Sequence, residues 1–445
     1  MAKTVLVIGG KHFLFEVRNI LSSIGMHVLV AAGEEEIKNK RGQENVDAVV
    51  FDDDMCRSQM KGSRSKTIKA VRESKKYFIM VSSGATTTAV LEANGLGASD
   101  YIIKPFNRRE FISRFNAVAR KETRISCVGG GTGLFHILLG LKGFPGILLS
   151  SIVSMSDDGG SSGKLRASFG ILPPGDVRRS LVALSNAPKI MNEMMRYRFQ
   201  RGGGVSGHSF GNLFLTALTE IKGSMPEAVR TMGDILNIQG IVIPVTNMKA
   251  TLCARFEDGT VIKGESKIDM SHGRDPRQRV CETWHEPQTK CNINAFSSIV
   301  NSEVVIIGPG DLFTSVITNL LVKNVREALC RTRAKKIYMC NLMTKPGETA
   351  GFTAFDHIRE ITRYMGGDYL DYVIISNTKL SRKAILEYAR KDQVPVAAGD
   401  IGKIRRLTKA KVIMSDIGHE TELVRHDSVK VTKEINKILK QELKK

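Results

Sequence analysis

The chain has 445 residues, 42% hydrophobic and 25% charged, and its 66 Lys and Arg against 45 Asp and Glu give a formal charge of +21. This length exceeds what one core organises, the composition is that of a globular protein, and no apolar run reaches spanning length, so a cytoplasmic protein with no membrane span is expected. The positive charge favours polyanionic partners, yet the basic residues are spread along the chain without aromatic interleaving. They read as a solvated face, and nucleic acid is not expected as a partner.

The first 121 residues alternate apolar runs with helical pattern. Strands are expected at Thr4–Ile8, Val28–Ala31, Ala48–Phe51, Phe78–Val81 and Tyr101–Ile103. Helices are expected at Phe13–Ile24, Thr86–Leu96 and Arg108–Arg120. Five strands alternating with helices make a flavodoxin-like domain. The stretches VDAVVFDDDM and GASDYIIKPF carry a resemblance to response-regulator receivers, with Asp52 at the phospho-acceptor place, Ser82 at the hydroxyl place and Lys104 behind them. Receivers hold Mg²⁺ with an acidic pair after the first strand, and here that place is Gly9-Gly10. Without those carboxylates the metal loses most of its negative ligands. Phosphorylation of Asp52 is therefore not expected, and the domain reads as a docking or dimerisation module. Asp53 is expected to point away from Asp52 on an extended strand end.

Lys121–Arg124 is the junction to a second domain, residues 124–445. It opens with the apolar run Ile125–Val128, the turn Gly129-Gly130-Gly131-Thr132-Gly133 and a helical segment to Leu141. A glycine turn between strand and helix can cradle a phosphate on its backbone N–H groups, or can serve packing alone. A second run, Gly146 to Met155, ends in Asp157-Asp158-Gly159-Gly160-Ser161-Ser162-Gly163, and Gly175-Asp176-Val177-Arg178 follows. Adjacent carboxylates before so many glycines suit a site better than a core. Carboxylates alone would repel a diphosphate, so a divalent ion or a sugar hydroxyl must face them, and Asp157 and Asp158 are candidate Mg²⁺ ligands. Asp158 is expected to contribute little to packing.

Downstream, Met191–Phe199 reads as a helix, and Gly207–Leu218 places His208 and Asn212 at a helix start. Asn212 there is either a ligand contact or a cap. Val242–Val245, Ala250–Phe256 and Val261–Ile268 carry β-rich pattern, with Asp258-Gly259 as a hairpin turn. Ser271–Lys290 reads as a polar, irregular excursion. Its Cys281 and His285, with Cys291, would leave a zinc ion short of a fourth ligand, so no zinc site is expected there. Three more strands end in turns: Val304–Ile307 before Gly308-Pro309-Gly310-Asp311, Lys336–Cys340 before Asn341, and Tyr372–Ile375 before Ser376-Asn377. Ligands of open α/β sheets gather at such carboxyl ends. Tyr388 could stack a base or be a half-buried helix residue, and Arg425, in Arg425-His426-Asp427, suits a phosphate.

The ordered motifs GGGTGL, SDDGGSSGKLR, GILPPGDVRRSLVAL, GHSFGNLFLTAL, IIGPGDLFTSVITNLLV, CNLMTKPGET and LVRHD resemble the YvcK/CofD-like family over nearly all of the chain after Arg124. That family contains the gluconeogenesis factors and, more distantly, 2-phospho-L-lactate transferase. The resemblance implies a Rossmann-like doubly wound α/β domain with an inserted α+β portion. It also implies a bound nucleotide sugar of the UDP-N-acetylglucosamine type, and a regulatory role in cell shape and in carbon and cell-wall metabolism. Ligand contacts are expected from Gly129, Gly130, Gly131, Thr132, Gly133, Asp157, Asp158, Gly159, Gly160, Ser161, Asn212, Gly308, Gly310, Asn341, Tyr388 and Arg425. The alternative is an Mg²⁺-dependent transferase acting on a nucleoside diphosphate compound. No nucleophile–base pair is legible beside the loops, where His208 is the one histidine, and this favours binding. No redox cofactor is expected.

Overall fold

In a computed structural model of the full chain, the structure describes residues 3–32, 36, 46–59, 77–269 and 275–442. The chain divides into two compact units. The first holds Met1–Arg124 with Gly146–Leu148 and Phe296–Ser302, and the second holds the remainder.

The first unit contains strands β1 (Thr4–Ile8), β2 (His27–Ala31), β3 (Ala48–Asp52), β4 (Tyr77–Ser82) and β5 (Asp100–Ile103), in the order β2-β1-β3-β4-β5. All four pairings are parallel. Both faces of such a sheet are covered, so its strands are continuous apolar runs, as in Val49–Phe51. Helices Lys11–Ser22 and Arg108–Arg120 supply Phe13, Val17, Leu21, Phe111 and Phe115 to the core. One expectation fails here. Asp53 is not on an extended strand end but starts the helix Asp53–Gln59. It is buried, accepts a hydrogen bond from Arg57 Nε at 2.8 Å and one from the Tyr101 hydroxyl at 3.3 Å.

The second unit is built on β6 (Thr123–Gly129), β7 (Ile147–Val153), β8 (Ile241–Pro244), β12 (Val304–Ile307), β13 (Lys335–Met339), β14 (Tyr372–Ser376) and β15 (Lys411–Ser415). Their order is β15-β14-β13-β12-β6-β7-β8. The β12 pairings with β6 and β13, and those of β13 with β14, β14 with β15 and β7 with β8, are parallel. After β6 the chain builds outward to β7 on one side and later returns to place β12 on the other. The carboxyl ends of β6 and β12 therefore flank a crevice at the reversal of strand order. The helix Gly131–Leu141 follows β6 directly and buries Leu134, Ile137, Leu138 and Leu141. That i, i+3, i+4, i+7 stripe anchors the glycine turn, each side chain contributing roughly 1.5–3 kcal/mol.

The inserted portion is an antiparallel sheet, β10-β9-β11, of β9 (Thr251–Phe256), β10 (Val261–Lys263) and β11 (Val280–Glu286). The strand expected over Val242–Val245 is present, and it belongs to the parallel sheet as β8. Two expectations change. The chain beyond Lys263 turns into the helix Glu265–Asp269 instead of continuing as strand. Part of the supposed excursion is β11, while residues 271–274 of it lie outside the described residues. The pattern of β11 misleads because its buried positions include Thr283 and His285. Thr283 N–H donates to the Tyr364 hydroxyl at 2.8 Å. His285 shares hydrogen bonds with Thr289 and Thr318 at 3.2 and 2.9 Å. Satisfied polar groups occupy the inner face where hydrophobic ones were sought. A last hairpin, β16 (Gly418–Glu420) and β17 (Val424–His426), carries Arg425 ahead of the helix Ser428–Glu442.

Candidate functional site

A cavity of about 400 Å³ opens at the crevice beside β6 and β12. One wall is the turn Gly131-Thr132-Gly133, and the loop Pro309-Gly310-Asp311 adjoins it. Asn341 and Lys345 follow β13, and Tyr388, Lys391 and Arg425 close another side. The helix start at Gly131 has no side-chain cap, and Gly131 itself has φ +68°. Its first N–H groups and the positive end of its dipole are thus offered to the cavity. Gly133 is required for closeness, since a Cβ there would stand 2.7 Å from the Pro309 carbonyl oxygen. Asn341 donates Nδ2–H to the Gly310 carbonyl at 2.7 Å, while its buried Oδ1 has no partner among the described residues. Val424 N–H donates to the Tyr388 hydroxyl at 2.8 Å, which ties this ring to the strand bearing Arg425. His136 and His426, rather than the expected His208, are the histidines that line the cavity, and His136 is held below the usual histidine range by burial and by Arg425.

Behind the turn stands an acidic group. A Cβ on Gly130 would meet Asp176 Oδ2 at 2.5 Å, and one on Gly175 would meet Asp157 Oδ2 at 2.5 Å. The helices Gly160–Phe169 and Gly175–Leu184 also start without side-chain caps. Burial and the neighbouring Asp176 raise the Asp157 carboxyl. Glu265 is pushed up to about 9 by burial and by Asp157, Asp269 and Asp176. Two cations offset the cluster. Arg179 pairs with Asp176 at 2.5 Å. Lys345 pairs with Asp269 and, at 3.2 Å, with Asp311, linking the acidic group to the cavity wall. Burial opposes the Lys345 ammonium, but these carboxylates outweigh it and keep it charged.

The model of the family described as 2-phospho-L-lactate transferase CofD matches residues 125–417. The chain belongs to the CofD-related gluconeogenesis-factor family. A relative in Aquifex aeolicus is 42% identical over 327 residues, 73% of this chain and 98% of its own length. The gluconeogenesis factor of Bacillus subtilis is 36% identical over 321 residues, 72% of this chain and 99% of its own. The crystal structure of a UPF0052 family protein from Bacillus halodurans, 37% identical, superposes with a TM-score of 0.67 over 71% of this chain and 99% of its own. A response-regulator receiver model matches residues 6–116, so the gluconeogenesis-factor domain is here joined to a receiver-like one. Among the described residues no helix is long and apolar enough to cross a membrane.

Within this gluconeogenesis-factor domain the expected residues fall into three sets. Gly131, Thr132, Gly133, Gly310, Asn341, Tyr388 and Arg425 line the cavity. Gly129, Gly130 and Gly308 form the backbone beneath it, with Gly308 N–H donating to the Val128 carbonyl at 2.9 Å. The rest lie in the acidic loop or behind it. The Asp158 carboxylate accepts the backbone N–H groups of Glu265 and Ser266 at 3.1 and 2.7 Å. It caps the helix Glu265–Asp269 across more than a hundred residues of sequence. Asn212 is buried; it donates to Ser161 Oγ at 3.1 Å and accepts from Arg178 Nε at 2.9 Å. His208 shares a 3.1 Å hydrogen bond with the same Ser161 hydroxyl. These residues hold the Gly160 helix start in place. Arg179, Asp311 and Lys345 stand within the ordered motifs and Glu265 and Asp269 outside them, and none of their pairings is marked in the sequence.

Mg²⁺ is suited by one or two carboxylates completed by water and phosphate. Among the described residues no three His, Cys, Asp or Glu side chains form a metal-holding group. Asp157, raised by burial and then by its repulsion from Asp176, fits the carboxylate part of such a site.

Proposed function

We propose that the second unit is a nucleotide-sugar receptor with a regulatory role. The carrying observation is the cavity between the uncapped Gly131 helix start and the Tyr388–Arg425 wall. The diphosphate would take the N–H groups of Gly131, Thr132 and Gly133. Tyr388 and Arg425 would bracket the nucleoside side, and the free Asn341 Oδ1 would accept from a ligand hydroxyl or N–H. The family resemblance favours a uridine diphosphate sugar of the N-acetylglucosamine type and a role in cell shape and carbon or cell-wall metabolism. A Rossmann-like, doubly wound sheet would bind its ligand at this reversal of strand order. Asp157 and Asp176, rather than Asp158, would hold Mg²⁺, whose charge offsets the diphosphate. The receiver-like unit would dock a protein partner or a second copy.

One observation keeps a second reading alive. The carboxylates behind the glycine turn, with Glu265 pushed to about 9, are the kind of group that serves transfer from a nucleoside diphosphate compound. Native mass spectrometry separates the two. The full chain is incubated with UDP-N-acetylglucosamine and Mg²⁺, then with a deazaflavin acceptor and a nucleoside diphosphate ester. Intact bound nucleotide sugar without turnover supports the receptor. Release of a nucleoside monophosphate in step with acceptor consumption overturns it in favour of the transferase.

A further inference from the structure

In the receiver-like unit, the donors that surround Asp52 already serve another anion. Asp54 Oδ1 accepts the Ser82 hydroxyl at 2.5 Å. Its Oδ2 accepts both the backbone N–H and the hydroxyl of Ser83, each at 2.8 Å. Lys104 Nζ lies 3.0 Å from Asp52 and 3.4 Å from Asp54, bridging the two. A hydroxyl, a backbone N–H and an ammonium converging on one side chain is the environment an oxyanion needs. Burial would raise the Asp54 carboxyl, but the Ser82 and Ser83 hydrogen bonds and Lys104 outweigh it and hold it at about 2. The anion is therefore permanent at any physiological pH.

The surroundings do not favour a second one. Of the Gly9-Gly10 pair, a Cβ at Gly9 would stand 2.8 Å from Asp52 Cβ and also strike the Phe13 ring, while Gly10 faces open space but brings no carboxylate. A phosphoryl group on Asp52 would bring further negative charge beside Asp54 while finding its nearest donors engaged.

We propose that Asp54 is a built-in substitute for a phosphoryl group: it gathers Ser82, Ser83 and Lys104 as an oxyanion on Asp52 would, and fixes the Ser82–Gly84 segment without covalent modification. The unit is then a constitutively set module, its conformation written into the helix that follows β3.

The test uses the full chain and its Asp54→Ala variant, with amide hydrogen exchange at Ser83 and Gly84 read with and without orthophosphate. In the parent, exchange is slow and indifferent to phosphate. In Asp54→Ala it rises at least about tenfold, equivalent to about 1.4 kcal/mol of local stability, and tens of millimolar phosphate restores most of the protection. An ordinary structural hydrogen bond would not be replaced by a free oxyanion. Exchange in Asp54→Ala like that of the parent, or a loss that phosphate does not reverse, overturns the proposal. If Asp54→Ala fails to fold, Asp54→Asn keeps the volume and removes the charge. The same rise, reversed by phosphate, is then required, and parent-like exchange or a rise that phosphate leaves in place counts against the proposal.

Discussion

The Asp158 carboxylate accepts the Ser266 backbone N–H at 2.7 Å, so a residue of the Gly-rich loop is the cap of a helix in the inserted portion. Its neighbour Asp157 faces the acidic group instead. Adjacent carboxylates thus do different work. Asp158→Ala is expected to destabilise the chain by about 1 kcal/mol, within the range of lost helix caps. Asp157→Ala should leave stability nearly unchanged, or raise it by relieving repulsion with Asp176, while weakening any Mg²⁺ response. Thermal melts of the two variants, with and without Mg²⁺, check the division. Equal melting losses would contradict it.

Glu265 gives a pH dependence with a definite sign. Its folded value of about 9 lies above the ordinary 4.5, so the native state keeps a proton that the unfolded state releases. The associated stability is present below pH 4.5 and is lost as pH rises toward 9. Glu265→Gln removes this loss. The variant should melt above the parent at pH 8 and close to it near pH 5. A pH-independent difference would show that Glu265 acts through packing.

Gly130 has Asp176 where a side chain would go. Gly130→Ala must displace that carboxylate or the turn, at a cost on the order of 1–3 kcal/mol. Nucleotide-sugar affinity should fall along with stability. Gly143→Ala offers a control outside the site, because its φ of +76° brings backbone strain and its nearest contact for a Cβ is Gln239 at 3.6 Å. It should lower the melting point without lowering affinity.

The inner parallel strands β6, β12, β13 and β14 were legible because both their faces are apolar, and their ends were legible because they run into Gly, Asn or Ser. The cavity set followed from those ends. What escaped the sequence was long-range pairing. Ser266 lies far from Asp158, and nothing local marks Asp158 as a cap. Lys345 gains its role by meeting Asp269, at the end of the inserted helix, and Asp311, in the loop after β12. Strand β11 escaped because Thr283 and His285 fill its inner face, and β15 because its edge position leaves Lys411 and Met414 exposed.

Tyr388 joins wall and scaffold through its hydroxyl. Tyr388→Phe should loosen β17 by about 0.5–1.5 kcal/mol and weaken nucleotide-sugar binding modestly, while Tyr388→Ala removes the wall itself. Competition binding on the two variants orders them. Equal affinities for parent, Phe and Ala forms would place the ligand elsewhere.

The most direct test of the receptor reading is calorimetric titration of the full chain with UDP-N-acetylglucosamine, UDP, GDP and NAD, repeated on Arg425→Ala. The account predicts that the UDP sugar binds most tightly of the four. It also predicts that Arg425→Ala weakens binding by at least about tenfold, a change of about 1.4 kcal/mol. No heat with the UDP sugar, equal affinity for all four compounds, or an Arg425→Ala variant that binds like the parent would contradict it.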